Sequence, residues 1–251
     1  MRSLQPIQVE AIERATLHAV SPEARTELAS WILPFDSGTV GRAKSAVPLT
    51  HAAPELSVLR EIEATYAERD CPVMLRIPVL PTFDEFRHHL ADGGYREHTL
   101  TEVQIADAAS VRAVSDGAPA EVLAAPSAAW ASVFLGEGFD PVDGASRVRK
   151  LGQAAGSLFA TLLQDECPAA AGAAAFSHGW ASIHGMRTAQ ECRGRGLAGG
   201  VLATLAEAAI ARGYQSLFLQ VATDNAAAKS LYQRAGFMHA WSYSYWVASA
   251  S

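Results

Sequence analysis

The sequence predicts an α/β protein of the α+β type, with a mixed central sheet flanked by helices and two related modules in one chain. Apolar runs typical of strands alternate with amphipathic helical segments. A pattern of strand, helix and strand occurs twice along the chain. The 251 residues are 49% hydrophobic, which is enough for a substantial buried core.

The charge and the cysteines limit the possible classes of function. The formal charge is -6, from 20 basic and 26 acidic residues without a dense Lys/Arg run, which argues against a nucleic acid or membrane partner. No apolar run reaches the roughly 20 residues that a membrane span needs. Cys71, Cys167 and Cys192 lie far apart without zinc-ligand spacing, so we expect no metal site and a reduced, cytoplasmic environment.

The first module is predicted to occupy residues 1–114. Its N-terminal segment carries acidic residues within an apolar periodicity, so it is predicted to be an amphipathic helix and not a signal peptide. Further along, residues 74–80 form a predicted strand, residues 83–95 a helix that ends at a Gly-Tyr pair, and residues 96–106 a second strand.

The second module is predicted to occupy residues 115–251, because residues 115–121 have the Gly, Pro and Ser content of a connection. The predicted elements that follow are a helix at 130–135, a loop at 136–144, a short helix at 145–151, and strands at 157–164 and 170–179. The last of these is rich in alanine, which favours a helix. Its polar and glycine-containing flanks leave only about eight residues, so we predict a strand.

The stretch ECRGRGLAGG, residues 191–200, matches two phosphate-binding patterns. GRGLAG is a G-x-G-x-x-G, which would cradle a dinucleotide, and RGRGLA is an R-x-x-G-x-A, which would bind the pyrophosphate of coenzyme A. Both place a phosphate at a helix N-terminus. A dinucleotide site requires a strand ending at Gly194 and an acid about twenty residues later. Polar residues precede Gly194, and the next strand carries Gln220, so the dinucleotide match is interpreted as accidental.

The helix predicted for residues 196–214 supports the second pattern. Free amides, the helix dipole and the guanidinium groups of Arg193 and Arg195 together suit a pyrophosphate. A strand at 216–222 follows, then a helix at 226–237 capped by Asp224 or Asn225. The last strand contains Trp241, Tyr243 and Tyr245. We interpret these aromatic side chains as part of the core, and the alternative is that they line an acceptor pocket.

The order of strand, RGRGLA turn, helix, strand LFLQVATDN and helix NAAAKSLYQRAGF resembles the GNAT superfamily of acetyl-CoA-dependent N-acetyltransferases. The resemblance is specific over residues 181–237 and looser from Trp130 onward. Residues 36–49 are similar to the leading module of bacterial two-module members. The resemblance implies a GNAT fold, in which the strand ending near Thr188 splays away from the LFLQV strand.

The resemblance also implies acetyl-CoA as co-substrate, an amine as acceptor, and a set of site residues. The pyrophosphate would bind to Arg193, Gly194, Arg195, Gly196, Leu197 and Ala198. The backbone of Met186, Arg187 and Thr188 would hold the pantetheine arm and polarise the thioester carbonyl, and Asn225 would hydrogen-bond that arm. Tyr232 matches the general acid that protonates the departing thiolate, and His184 is the candidate base.

Other interpretations remain open at this level. Tyr232 and His184 also suit the core, and Asn225 also suits a helix cap. Two other functions also remain open: the protein is a non-catalytic acyl-CoA sensor, or it is a dinucleotide-dependent oxidoreductase if GRGLAG is the true motif. In the first module Leu90 aligns with Tyr232 and Phe83 with Asn225, so we expect a degenerate module that completes the acceptor cleft. The acceptor and the oligomeric state are left open.

Overall fold

The computed structural model of the protein describes residues 4–248, which contain eight α-helices and eleven strands. The helices are α1 Pro6–Val20, α2 Val58–Ala67, α3 Asp84–Asp92, α4 Ala108–Arg112, α5 Ala128–Leu135, α6 Pro141–Gln153, α7 Leu197–Ala211 and α8 Ala226–Arg234. The strands are β1 Ala24–Leu28, β2 Trp31–Phe35, β3 Val47–Pro48, β4 Met74–Pro78, β5 Tyr95–Asp107, β6 Glu121–Leu123, β7 Leu158–Gln164, β8 Cys167–Ser177, β9 Trp180–Thr188, β10 Ser216–Ala222 and β11 Met238–Ala248. Single 3-10 turns lie at Gly41–Ala43, Pro81–Phe83 and Gln190–Cys192.

The strands form a small sheet and a large one. The small sheet has the order β1-β2-β3, and the large mixed sheet has the order β4-β11-β5-β10-β9-β8-β7-β6. In the large sheet of the described chain, only β9 and β10 pair in parallel. The predicted α/β class with a mixed sheet flanked by helices is confirmed.

Strands from the two halves of the chain alternate at one end of the large sheet. β5, from the first half, lies between β10 and β11 of the second half, and β11 in turn lies between β4 and β5. The order strand, helix, strand is seen in both halves, as β4-α3-β5 and β10-α8-β11. Gly94 and Gly236 follow the two helices with φ of 82° and 87°. The proposed boundary at residue 114 lies between α4 and β6, and the division into two domains stays a prediction.

The alanine-rich strand β8 illustrates how packing outweighs helix propensity. Ala170 and Ala174 belong to the core beneath α7, while Ala171 and Ala173 pack with α5 on the opposite face. A Cβ on Gly172 would lie 2.5 Å from the sulfur of Met186. Small side chains therefore let helices approach both faces of a strand that lies between two neighbours.

The prediction for residues 136–151 was wrong about where the helix begins. α6 starts at Pro141, so part of the expected loop is helical. The Oδ1 atom of Asp140 accepts a hydrogen bond of 2.7 Å from the N–H of Asp143, and proline occupies the first helical position. An N-cap aspartate followed by proline is a strong helix start.

Helices cover both faces of the large sheet. On β10, Leu217 and Leu219 face the core that contains α4, α7 and α8, whereas Phe218 faces α1. α5 and α6 pack on the same side as α1, against alternate residues of β8. None of the helices in residues 4–248 combines the length and the apolar character that crossing a membrane requires.

Candidate active site

The parallel strands β9 and β10 separate at the centre of the sheet. Their pairing begins at Leu217 opposite Ala181 and reaches Leu219 opposite Ile183, which is the last such pair within the described residues. Beyond it, β10 stays paired with β5 as far as Ala222, while β9 stays paired with β8. The predicted splay of these two strands is present, and it opens a V-shaped gap in the sheet.

A β-bulge in β9 lies at the start of this gap. Two β9 residues, Gly185 and Met186, stand opposite the single residue Gly172 of β8. Gly185 has φ of 59°, and a Cβ there would lie 2.8 Å from Leu151 Cδ1 and 3.0 Å from Phe134 Cζ. Only glycine fits this conformation and this space, and the extra residue bends β9 away from β10.

The gap forms the mouth of a cleft of about 800 Å³. Five of the residues predicted to form the site line it, namely His184, Met186, Arg187, Asn225 and Tyr232. The first half of the chain contributes a comparable set, which includes Thr39, Val40, Gly41, Arg42, Met74, His98, Thr99 and Thr101. The cleft is therefore built by both halves of the chain.

The predicted pyrophosphate turn, residues 193–198, lies outside the lining of this cleft, as does Thr188. Gly194 and Gly196 have φ of 77° and 79°, and α7 begins directly after the second glycine. The N–H of Arg193 donates to the carbonyl of Gln190 at 3.4 Å, but no protein group within residues 4–248 accepts a hydrogen bond from the backbone N–H groups of residues 194–198. A glycine-rich turn with free donors at a helix N-terminus fits a phosphate group chemically.

Tyr232 lies on the face of the sheet that α7 covers. Its side chain is buried, packs edge-to-face on Phe237 and reaches the cleft. Burial raises the pKa of Tyr232 to about 12. The hydroxyl is therefore protonated at neutral pH, so the residue is available as a proton donor.

His184 lies on the opposite face, with its ring edge-on to Phe218. It is 4% exposed, and its Nε2 atom has no hydrogen-bond partner in the described part of the chain. Burial, assisted by the positive charge of Arg42, lowers the pKa of His184 to about 3. The imidazole is thus neutral at physiological pH and is a weak proton acceptor.

Asn225 caps the helix α8. Its Oδ1 atom accepts a hydrogen bond of 3.1 Å from the N–H of Ala228. This bond leaves the two Nδ2 hydrogen atoms, and Asn225 also lines the cleft. The two interpretations of this residue, as a cap and as a ligand to pantetheine, are therefore compatible.

The side chain of Gln220, which the sequence did not assign to a site, connects two residues of the cleft lining to helix α1. Its Oε1 atom accepts hydrogen bonds from Arg42 Nη1 at 3.2 Å and from the Tyr243 hydroxyl at 2.9 Å. Its Nε2 atom donates to Thr16 Oγ1 at 2.9 Å. The resemblance of residues 36–49 marked the segment of Arg42 but not its role.

The aromatic residues of the last strand divide between the two interpretations that the sequence left open. Tyr243 and Tyr245 line the cleft, whereas Trp241 is buried in the core.

A second cluster of charges lies around Asp143 of α6. The Oδ2 atom of Asp143 accepts hydrogen bonds from Arg147 Nε at 2.7 Å and from Arg187 Nη2 at 3.2 Å. Its Oδ1 atom accepts one from the Thr39 hydroxyl at 2.9 Å. The guanidinium of Arg187 also lies 4.2 Å from the centre of the Phe139 ring. These contacts hold Arg187 at the cleft wall.

Comparison with known proteins gives a consistent picture of the fold. Residues 7–246 match the family described as "Probable histone acetyltransferase Rv0428c C-terminal". The sequence matches no curated protein at a significant level.

Solved structures with low sequence identity share the whole architecture. A GCN5-related N-acetyltransferase from Kribbella flavida has a TM-score of 0.72 at 15% identity, covering 100% of this chain and 98% of its own. A tandem GNAT protein from the clavulanic acid biosynthesis pathway has a TM-score of 0.60 at 12% identity, covering 97% and 96%. A GCN5-related N-acetyltransferase from Sphaerobacter thermophilus has a TM-score of 0.57 at 16% identity, covering 98% and 93%.

Proposed function

The chain belongs to the family of the Rv0428c C-terminal region and to the GNAT superfamily of acyltransferases, and from this premise we propose that it transfers an acetyl group from acetyl-CoA to a primary amine. The observation that carries the proposal is the splay between β9 and β10, with the Tyr232 side chain beside it. A gap in a parallel strand pair leaves backbone groups of β9 without partners on the β10 side. Such groups can bind an extended pantetheine arm.

We place the coenzyme along the face of the sheet that α7 covers. The turn of residues 193–198 would bind the pyrophosphate, with Arg193 and Arg195 adding positive charge. The backbone of Met186, Arg187 and Thr188 would bind pantetheine and polarise the thioester carbonyl, and the Nδ2 group of Asn225 would donate to the same arm. The free N–H groups of the turn and the open edge of β9 support this placement.

The proposed reaction is a direct attack of the neutral amine on the thioester carbonyl. A C–N bond forms, the C–S bond breaks, and negative charge develops first on the carbonyl oxygen, where backbone donors stabilise it. The departing thiolate takes its proton from the Tyr232 hydroxyl, which then regains a proton from solvent. We propose His184 as the group that accepts the amine proton transiently, because its unpartnered Nε2 atom lies in the cleft wall.

Titration calorimetry with acetyl-CoA, with NADH and NADPH as parallel ligands, tests the coenzyme. We expect micromolar binding of acetyl-CoA and no binding of either dinucleotide. The double variant Arg193→Ala/Arg195→Ala should bind acetyl-CoA at least about 10-fold more weakly, because it loses two charge-assisted contacts. Unchanged affinity of this variant contradicts the phosphate assignment, and binding of dinucleotide alone contradicts the proposed function.

An assay of thiol release with a panel of amines tests catalysis. We expect acetyl-CoA to release coenzyme A faster when the correct amine is present. A protein that binds acetyl-CoA tightly and shows no amine-dependent release with any acceptor is an acyl-CoA sensor, and this result would exclude the transferase proposal.

A further inference from the structure

The cleft has a marked imbalance of charge. Among the described residues that line it, three are arginines and two are histidines, and none is an aspartate or glutamate. The arginines are Arg42, Arg147 and Arg187. An amine acceptor that is itself polycationic, such as a lysine-rich peptide, would find no carboxylate among these lining residues.

Arg42 is the one arginine of the three without an ion pair to a carboxylate in the described part of the chain, and the buried carboxylate of Glu13 interacts with it only at longer range. Arg147 and Arg187 share the carboxylate of Asp143. Within residues 4–248, no carboxylate lies within 4 Å of the guanidinium of Arg42, whose one hydrogen bond to protein goes to the neutral Gln220. Its Nε atom is buried and has no partner in the same part of the chain. A buried guanidinium N–H that is left unpaired calls for an acceptor atom from a ligand.

The position of Arg42 separates it from the proposed coenzyme site. On β10, Gln220 and Phe218 lie on the α1 face of the sheet, because Gln220 donates to Thr16 of α1 and Phe218 packs against Ile12. Tyr232 and α7 lie on the other face. Arg42, bonded to Gln220, is therefore on the side opposite the pyrophosphate turn.

The surroundings of Arg42 form a polar pocket on that α1 face. His184 is 4% exposed, and its buried Nε2 atom has no hydrogen-bond partner among the described residues. Tyr243 contributes a hydroxyl, and the Tyr245 ring contacts the turn of Gly41. The pocket thus offers a cation, a neutral imidazole and hydroxyl groups within one cleft. This set of groups suits a carboxylate with an adjacent neutral amine.

We propose that the acceptor is a small amine that carries a carboxylate, and that Arg42 binds this carboxylate on the α1 face of the cleft. This inference rests on the proposed function. It names Arg42, supplied by the first half of the chain, as a specificity-determining residue for a reaction catalysed in the second half. The Asp143 cluster, with two arginines and one aspartate, adds a further net positive charge on the same wall.

The direct test measures binding to the protein saturated with coenzyme A. The probes are matched pairs of possible products, the N-acetyl-L-amino acids and their C-terminal amides, titrated by calorimetry. We expect the best carboxylates to bind about 10- to 100-fold more tightly than their amides. Arg42→Ala should abolish this difference, and Arg42→Lys should retain part of it. Arg60→Ala, which removes an exposed arginine of α2, is the matched control and should keep it in full.

The outcomes separate this inference from the proposed function. Equal affinity within the pairs, no binding of any carboxylate, or an Arg42→Ala variant that loses only acetyl-CoA affinity each overturns the inference. Acetyl transfer to a lysine-rich peptide with no turnover of any amino acid also overturns it but upholds the transferase. Failure to bind acetyl-CoA refutes the proposed function, whereas carboxylate binding that depends on Arg42 would still support the pocket.

Steady-state kinetics give a second test once an amino acid is found to be a substrate. Arg42→Ala should then raise KM for that acceptor and leave KM for acetyl-CoA within about twofold.

Discussion

At the scale of single residues, the hydroxyl of Tyr232 is the proposed proton donor, and its removal is expected to affect catalysis and not stability. The ring is packed in the core, but no side-chain hydrogen bond holds its oxygen among the described residues. Removing that oxygen leaves the packing intact. The burial that raises the pKa of Tyr232 to about 12 also keeps the proton in place over the whole physiological range.

For Tyr232→Phe we therefore predict a fall in kcat of about 100-fold or more, with the affinity for acetyl-CoA within twofold of wild type. Steady-state kinetics and calorimetry measure the two quantities. Tyr214→Phe is the control, since Tyr214 packs on Phe176 away from the cleft. Wild-type turnover in Tyr232→Phe would remove this hydroxyl from the mechanism.

The burial of His184 affects how the free energy of unfolding depends on pH. Its pKa is lowered to about 3 by burial, from an ordinary value of 6.5. Between these two values the unfolded chain binds a proton that the folded chain does not, so the free energy of unfolding falls as pH decreases through this window. One such proton contributes at most about 1.4 kcal/mol per pH unit.

We predict that His184→Gln makes the free energy of unfolding less dependent on pH between about 6.5 and 4. Urea unfolding at several pH values measures the slope, with the exposed His239→Gln as the matched variant. A slope equal to that of wild type would mean that His184 is accessible to protons in the folded state.

At the scale of elements, the bulge in β9 is the feature that opens the sheet. Its position was not predictable from the sequence, because HGMRT alternates acceptably as a regular strand. The reason for Gly185 becomes visible only when Phe134 and Leu151 pack against it. Helix α7, by contrast, was predicted from its own apolar stripe and glycine-containing ends.

Gly185→Ala should destabilise the protein by about 2 to 4 kcal/mol, since it combines a strained φ with overpacking. It should also weaken acetyl-CoA binding, because the edge of β9 moves. Gly179→Ala is a close control, as it has φ of 77° but open space around its Cβ. Chemical denaturation and calorimetry measure both variants. Equal effects of the two substitutions would show that space at the bulge is unimportant.

At the scale of the whole molecule, the two halves are held together by more than the shared sheet. The buried ammonium of Lys150 in α6 pairs with the buried carboxylate of Asp36, and the Ser146 hydroxyl accepts a hydrogen bond from the N–H of Thr39. Both contacts fix the segment that carries Arg42. Removing one partner of a buried ion pair leaves the other charge uncompensated.

We predict that residues 115–251 alone do not fold into an active enzyme, because losing β5 exposes the edges of β10 and β11. Expression of this fragment, followed by circular dichroism and the thiol-release assay, measures the effect. The matched control is the full chain cut at an engineered protease site in the loop after α4, which should remain associated and active. A fragment that unfolds cooperatively and transfers acetyl groups at the full rate would contradict this prediction.

The sequence by itself determined the local elements and the family resemblance. The RGRGLA turn, the capped helix with Tyr232 and the alternating strands are short-range patterns, and each depends on neighbours within one or two turns of chain. They were sufficient to predict the mixed sheet, and the resemblance that they carry implied the splayed strands. Five of the twelve predicted site residues line one cleft, whereas Thr188 and the turn of residues 193–198 lie outside its lining.

Only the tertiary structure decided which distant residues share that cleft. Arg42 and Gln220 are 178 positions apart, and β5 reaches its place between β10 and β11 from the other half of the chain. Such pairings depend on the packing of whole elements across the sheet, which no local periodicity encodes. The low pKa of His184 arises in the same way, because burial and the charge of Arg42 exist only in the folded molecule.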